Sequence, residues 1–161
     1  MKVLFCSPYS SVGGIARWTM HIMNYYRENI PSNLELKLYY PSSKQGGHAG
    51  DSFLYRLYRG IINYIPLWRG VKKQLQTGDF ELIHLCSSAS ISLLKDILIV
   101  RTAKRLHVKS VVHFRFGRIP QIFESKNWEY KLLVKVIKLA DCIIVIDQRS
   151  YNTLIDAGIQ I

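Results

Sequence analysis

Three stretches of small, polar or cationic residues each leave a short apolar run, and each carries side chains able to hold a ligand. The first is "SPYSSVGG", residues 7–14. Glycines permit positive φ and let a ligand approach the backbone. The amides that open a following helix can cradle an anion. Gly13 and Gly14 are therefore candidate binding positions, although a plain tight turn accounts for the pair as well. The phosphate-binding patterns GxGxxG and GxxxxGK[ST] are absent. The second stretch, "CSSAS", places Ser87, Ser88 and Ser90 where hydroxyls either cap a helix or hydrogen-bond a sugar. The third is "HFRFGR". His113 closes a strand, where a buried and hydrogen-bonded imidazole is the default. Arg115 and Arg118, on either side of Gly117, shift the balance, because planar guanidinium forks suit phosphate or carboxylate. His84 lies inside an apolar run and reads as core. His21, His48 and His107 fall on surfaces without metal-ligand spacing, so no metal cofactor is expected.

The elements that must position these residues follow from hydrophobic patterning. Val3–Cys6, Leu34–Tyr39, Leu82–Leu85, Lys109–His113 and Cys142–Ile146 read as strands, most of them apolar enough for burial on both faces. Helical spacing joins Ile15, Trp18, Thr19, Ile22, Met23 and Tyr26. It also joins Leu54, Leu57, Ile61, Ile65, Trp68 and Leu75, with an interruption at Pro66. Further helices are expected over Ser90–Leu106 and Lys126–Leu139, and a short last one near Ala157 with Gly158 at its end. Strict alternation predicts an α/β fold: a doubly wound, Rossmann-like parallel sheet, strand order 3-2-1-4-5, with helices on both faces. Ligands of such sheets bind beyond the carboxyl ends of the strands. The stretch "PSSKQGGHAGD", residues 41–51, reads as a loop.

At 161 residues the chain suits a single domain, 1–161, with a full core. Its formal charge of +11 favours anionic partners. Nucleic acid is not expected, because no recognisable module is present and the aromatic residues follow a core period. The three cysteines, Cys6, Cys86 and Cys142, lack CxxC spacing and read as small core residues in a reduced compartment. No signal peptide or membrane-length apolar run is visible, so a cytoplasmic protein is expected. Residues 53–75 mix Tyr and Trp rings with Arg56, Arg59, Arg69, Lys72 and Lys73, and Lys131, Lys135 and Lys138 share one helical face. A solvated surface explains these cations, and so does peripheral contact with an anionic membrane. A signalling receiver is disfavoured by the lack of acidic strand ends. A dinucleotide oxidoreductase is disfavoured because Tyr39-Tyr40-Pro41 stands where an acidic ribose ligand belongs.

The opening "MKVLFCSPYSSVGGIARWTMHI" resembles that of a family 4 (group 1) glycosyltransferase of the GT-B fold. "FELIHLCSSAS", "SVVHFRFG" and "LADCIIVIDQRSYNTLIDAGI" fit the same pattern in the same order, and "HFRFGRIP" with "NWEYKLL" is similar to bacterial enzymes that build surface polysaccharides. The resemblance implies an acceptor-side N-terminal domain of a two-domain enzyme. Such an enzyme moves a sugar from a nucleotide-sugar donor to a saccharide or lipid-linked acceptor. It implies a separate C-terminal domain that holds the donor nucleotide, which nothing here matches, so these 161 residues alone are expected to be inactive. By position, Gly13 and Gly14 would border the donor diphosphate and acceptor, His113 would reach the transferring sugar, and Arg115 would hold an anionic acceptor. The alternative is a stand-alone α/β module that binds an anionic ligand or a protein partner.

Overall fold

The computed structural model describes residues 1–9, 13–29, 31–40 and 53–159, the side chains of 53–61 and 63 excepted. The loop expected over 41–51 lies outside the described residues, as do His48, Arg56 and Arg59 as side chains. Strands β1 (Lys2–Cys6), β2 (Glu35–Leu38), β3 (Leu82–Ser87), β4 (Lys109–Phe114) and β5 (Cys142–Ile144) form one all-parallel sheet. Helices α1 (Gly14–Asn29), α2 (Phe53–Thr77), α3 (Ser92–Arg105), α4 (Ile119–Ser125), α5 (Trp128–Leu139) and α6 (Gln148–Asp156) complete it. The α/β, doubly wound class read from the sequence is the observed one.

The strand order is not. The sheet runs β2-β1-β3-β4-β5 rather than 3-2-1-4-5. The physical reason is written in β2, whose Glu35 and Lys37 are exposed while Leu36 and Leu38 are half-buried. A strand with a charge at every second position keeps one face wet and belongs at an edge. In β3, Ile83, Leu85, Cys86 and Ser87 are buried, so this strand takes the interior place beside β1. Burial on both faces therefore holds for β1, β3 and β4, and fails at the two edges.

The larger core lies on one face. Leu4, Ile83, Leu85, Val112 and Phe114 of the sheet pack there with Leu67 and Val71 of α2, Leu93 and Val100 of α3, and Leu133 and Val136 of α5. On the other face α1 contributes Met23, Trp18 and Ile22 against Phe5, Cys86, Leu36 and Leu38. Beyond α1 that face is open at β5, where Cys142 and Ile144 are exposed. Of the three cysteines, then, Cys6 and Cys86 are core residues and Cys142 is not, because it sits on an uncovered edge strand.

Helix boundaries follow local chemistry. Pro66 does not divide α2, which runs through it with the proline ring exposed to solvent. Asn127 caps α5, its Oδ1 accepting the Glu129 amide at 2.8 Å, and Asp147 caps α6, accepting the Ser150 amide at 2.8 Å. Gly158, just past α6, takes the left-handed φ of +72° that ends helices. The serines ahead of α3 do not cap it; the residue at that position is Ile91, without a side-chain bond. Instead the buried Glu129 carboxylate reaches across from α5 and accepts the Ser90 amide at 2.6 Å.

Candidate functional site

The sheet order places a topological switch between β1 and β3, with α1 leaving to one face and α3 lying on the other. Crevices of this kind hold ligands in parallel sheets. At its rim Gly13 adopts φ +149°, a conformation side chains resist, and its carbonyl accepts the Arg17 amide at 3.0 Å to start α1. A Cβ placed at Gly13 or Gly14 meets nothing within 4 Å among the described residues. The first turn of α1 holds no acidic residue to occupy its positive end.

The α1 face of β3 and β4 carries the chemistry. His84 and Cys86 are two residues apart on β3 and so point to one face, and Cys86 is the direct register partner of His113 on β4. One donor atom from each of these three residues lies within 4.8 Å of the others. The two imidazole centroids are 5.6 Å apart. Phe5 packs on His84 and Trp18 stands edge-on to His113, each at 5.1 Å between ring centroids. Arg115, following β4, closes the group. Its guanidinium lies over the Trp18 ring at 4.2 Å, and its Nη1 is 3.2 Å from His113 Nε2.

That last contact fixes a tautomer. Arginine only donates, so His113 Nε2 must accept and the ring hydrogen sits on Nδ1. His113 Nδ1, His84 Nε2 and Arg115 Nε are buried and have no hydrogen-bond partner among the described residues. Burial, reinforced by the Arg115 cation, pulls His84 down to about 4. Burial, Arg115 and then His84 do the same to His113, again to about 4. Both rings are therefore neutral at pH 7. Burial pushes the Cys86 thiol up, so it keeps its proton there.

The remaining sequence-predicted residues are placed differently. Ser87 is fully buried on the opposite face, where its Oγ donates to Asp96 Oδ2 at 2.5 Å. Asp96 is in turn paired with the buried Lys95. Ser88 is exposed, with its Oγ 3.0 Å from Ser92 Oγ. Arg118 is engaged by Glu129 at 2.5 Å, bracing the start of α4 against α5. The structure thus joins His113 and Arg115, places Gly13–Gly14 at the head of the neighbouring helix, and turns Ser87 inward. Sequence reasoning left His84, Cys86 and Trp18 out of the site. The signal available for two of them was the His-x-Cys spacing in a strand. Comparison of the chain with models of known protein families, with curated proteins and with solved structures returns no match.

Proposed function

We propose that the chain is the acceptor-side domain of a GT-B glycosyltransferase, family 4 (group 1), of the type that builds bacterial surface polysaccharides. The observation that carries this reading is Arg115. It is a cation held by Trp18 and His113 beside the carboxyl end of β4, and no carboxylate pairs with it among the described residues. A guanidinium kept there without a counter-charge suits an anionic group brought by a substrate. The Gly13–Gly14 pair at the head of α1, with no acidic residue in the first turn, supports the same reading, since amides at a helix start favour a diphosphate.

In this reading an anionic acceptor draws Arg115 away from His113. The imidazole, neutral at pH 7, is then left with an unprotonated Nε2 able to accept a hydrogen bond from a sugar hydroxyl. The donor nucleotide is held by a second domain outside these residues. Exposed Lys131, Lys135 and Lys138 on α5, with Arg69, Lys72 and Lys73 on α2, form the contact with an anionic bilayer that brings a lipid-linked acceptor. No helix among the described residues is long and apolar enough to cross a membrane.

The test is calorimetric titration of the chain with a short-chain isoprenyl-diphosphate-linked sugar. Saturable binding, weakened about tenfold or more by Arg115→Ala, is expected, as for loss of a charge-assisted contact. Absence of binding, or equal binding by the variant, sinks the reading. The competing reading, a stand-alone module for small anions, is favoured if inorganic diphosphate binds as tightly as the sugar-linked ligand.

A further inference from the structure

We propose that His84, Cys86 and His113 form a binding site for one soft, monovalent metal cation, Cu(I), on the α1 face of the sheet. The site stands on side-chain chemistry and register and does not depend on the transferase reading. Two adjacent parallel strands bring the three donors together: Cys86 is two residues from His84 and directly opposite His113. One donor atom from each already lies within 4.8 Å of the others. In a three-coordinate centre such atoms stand roughly 3.5 Å apart, for bonds of about 2.0 to 2.3 Å. Binding therefore requires the donor atoms to draw together by roughly 1 Å.

The unsatisfied groups point to a ligand. His113 is 7% exposed, and its Nδ1 and the Nε2 of His84 are buried without a partner among the described residues. Buried polar atoms ordinarily find one. A bound cation would accept a lone pair from each ring and give the buried Nε2 of His84 the partner it lacks among the described residues.

Charge selects the ion. A divalent cation with one thiolate leaves a net positive centre beside the Arg115 guanidinium and against the apolar rings of Phe5 and Trp18. Cu(I) with one thiolate is neutral, and a neutral centre is the one such surroundings tolerate. Thiolate and imidazole donors suit it, and a donor set of three needs no further ligand. Binding forms the copper–sulfur bond as the Cys86 thiol proton leaves to solvent.

Whichever nitrogen of His113 takes the ion, the contact with Arg115 is given up. On Nε2 the ion replaces the guanidinium. On Nδ1 the ring proton moves to Nε2, where a pure donor has nothing to bond. Arg115 therefore competes with the metal, and Arg115→Ala should tighten binding several-fold.

The experiment is anaerobic titration of the full 161-residue chain with Cu(I) against bicinchoninate, followed by the colour of the copper–chelator complex. One equivalent withdrawn by the wild type and by Cys142→Ser is expected. Loss of that equivalent is expected in Cys86→Ala and in His84→Leu, each checked for folding by circular dichroism. No withdrawal, preference for Zn(II) in the parallel titration, or unchanged binding by Cys86→Ala overturns the proposal. Should the variants fail to fold, X-ray absorption of the wild-type complex decides. One sulfur and two imidazoles around copper support the site, and any other set overturns it.

Discussion

The Arg115 guanidinium sits over the indole of Trp18, 4.2 Å from the ring centroid, so the residue that leaves β4 is tied to the second turn of α1. Cation–π pairs of this kind contribute about 0.5 to 2 kcal/mol. A double-mutant cycle over Arg115→Ala and Trp18→Leu should return a coupling in that range in urea unfolding. Additive losses would show that the two side chains are neighbours without mutual stabilisation.

The two depressed imidazoles predict acid sensitivity of the metal-free chain. Both stay neutral in the folded state down to about pH 4, whereas unfolded histidine takes up its proton near 6.5. Between those limits the unfolded chain binds more protons, so stability is fully present above pH 6.5 and declines as pH falls toward 4. The slope is at most about 1.4 kcal/mol per pH unit for each histidine. Urea midpoints measured with chelator at pH 7.5, 6 and 5 check this. His84→Leu should flatten the profile, and an equally steep profile in that variant would assign the acid loss elsewhere.

Lys95 and Asp96, 5% and 0% exposed, form a buried ion pair, and Ser87 gives Asp96 a further hydrogen bond. Burial holds the Asp96 carboxyl above its ordinary value, against the pull of Lys95. Removing either partner leaves the other charge without compensation, at a cost of about 3 to 5 kcal/mol. Lys95→Met and Asp96→Asn should each lower the unfolding free energy from urea titration by that amount, and the joint replacement Lys95→Met with Asp96→Leu should cost less than their sum. Full additivity would contradict a direct pair.

For transfer by an enzyme that includes this domain, His113→Ala should lower kcat and kcat/KM together by about tenfold to a thousandfold, with KM little changed. Melting temperature on the same preparation separates this from a packing role. A variant that melts early yet turns over at the wild-type rate would return His113 to the core.

The parallel sheet was legible because β1, β3 and β4 are short apolar runs divided by segments of helical period. His113 and Arg115 were legible for the same reason, as polar residues at the end of one such run. The cluster was not. With β3 placed at the far edge, as in the order 3-2-1-4-5, two strands separate Cys86 from His113 and they cannot meet. Only the observed pairing of β3 with β4 makes them register partners. The alternating charges Glu35 and Lys37 held the clue to that order. Nothing local foretold that Glu129, on α5, would supply the acceptor for the Ser90 amide that the serines were expected to provide, because that contact spans 39 residues.

The two margins of the sheet differ in how they would meet another protein. Glu35 and Lys37 line β2, and inserting either against a second chain strips a charge of water, which keeps strangers off that side. β5 offers three residues, with the Cys142 thiol and the Ile144 side chain in the open and Ile146 exposed just beyond. Self-association at high concentration should therefore begin at β5. A charge introduced at Ile144 is the substitution best suited to keep the purified chain dispersed.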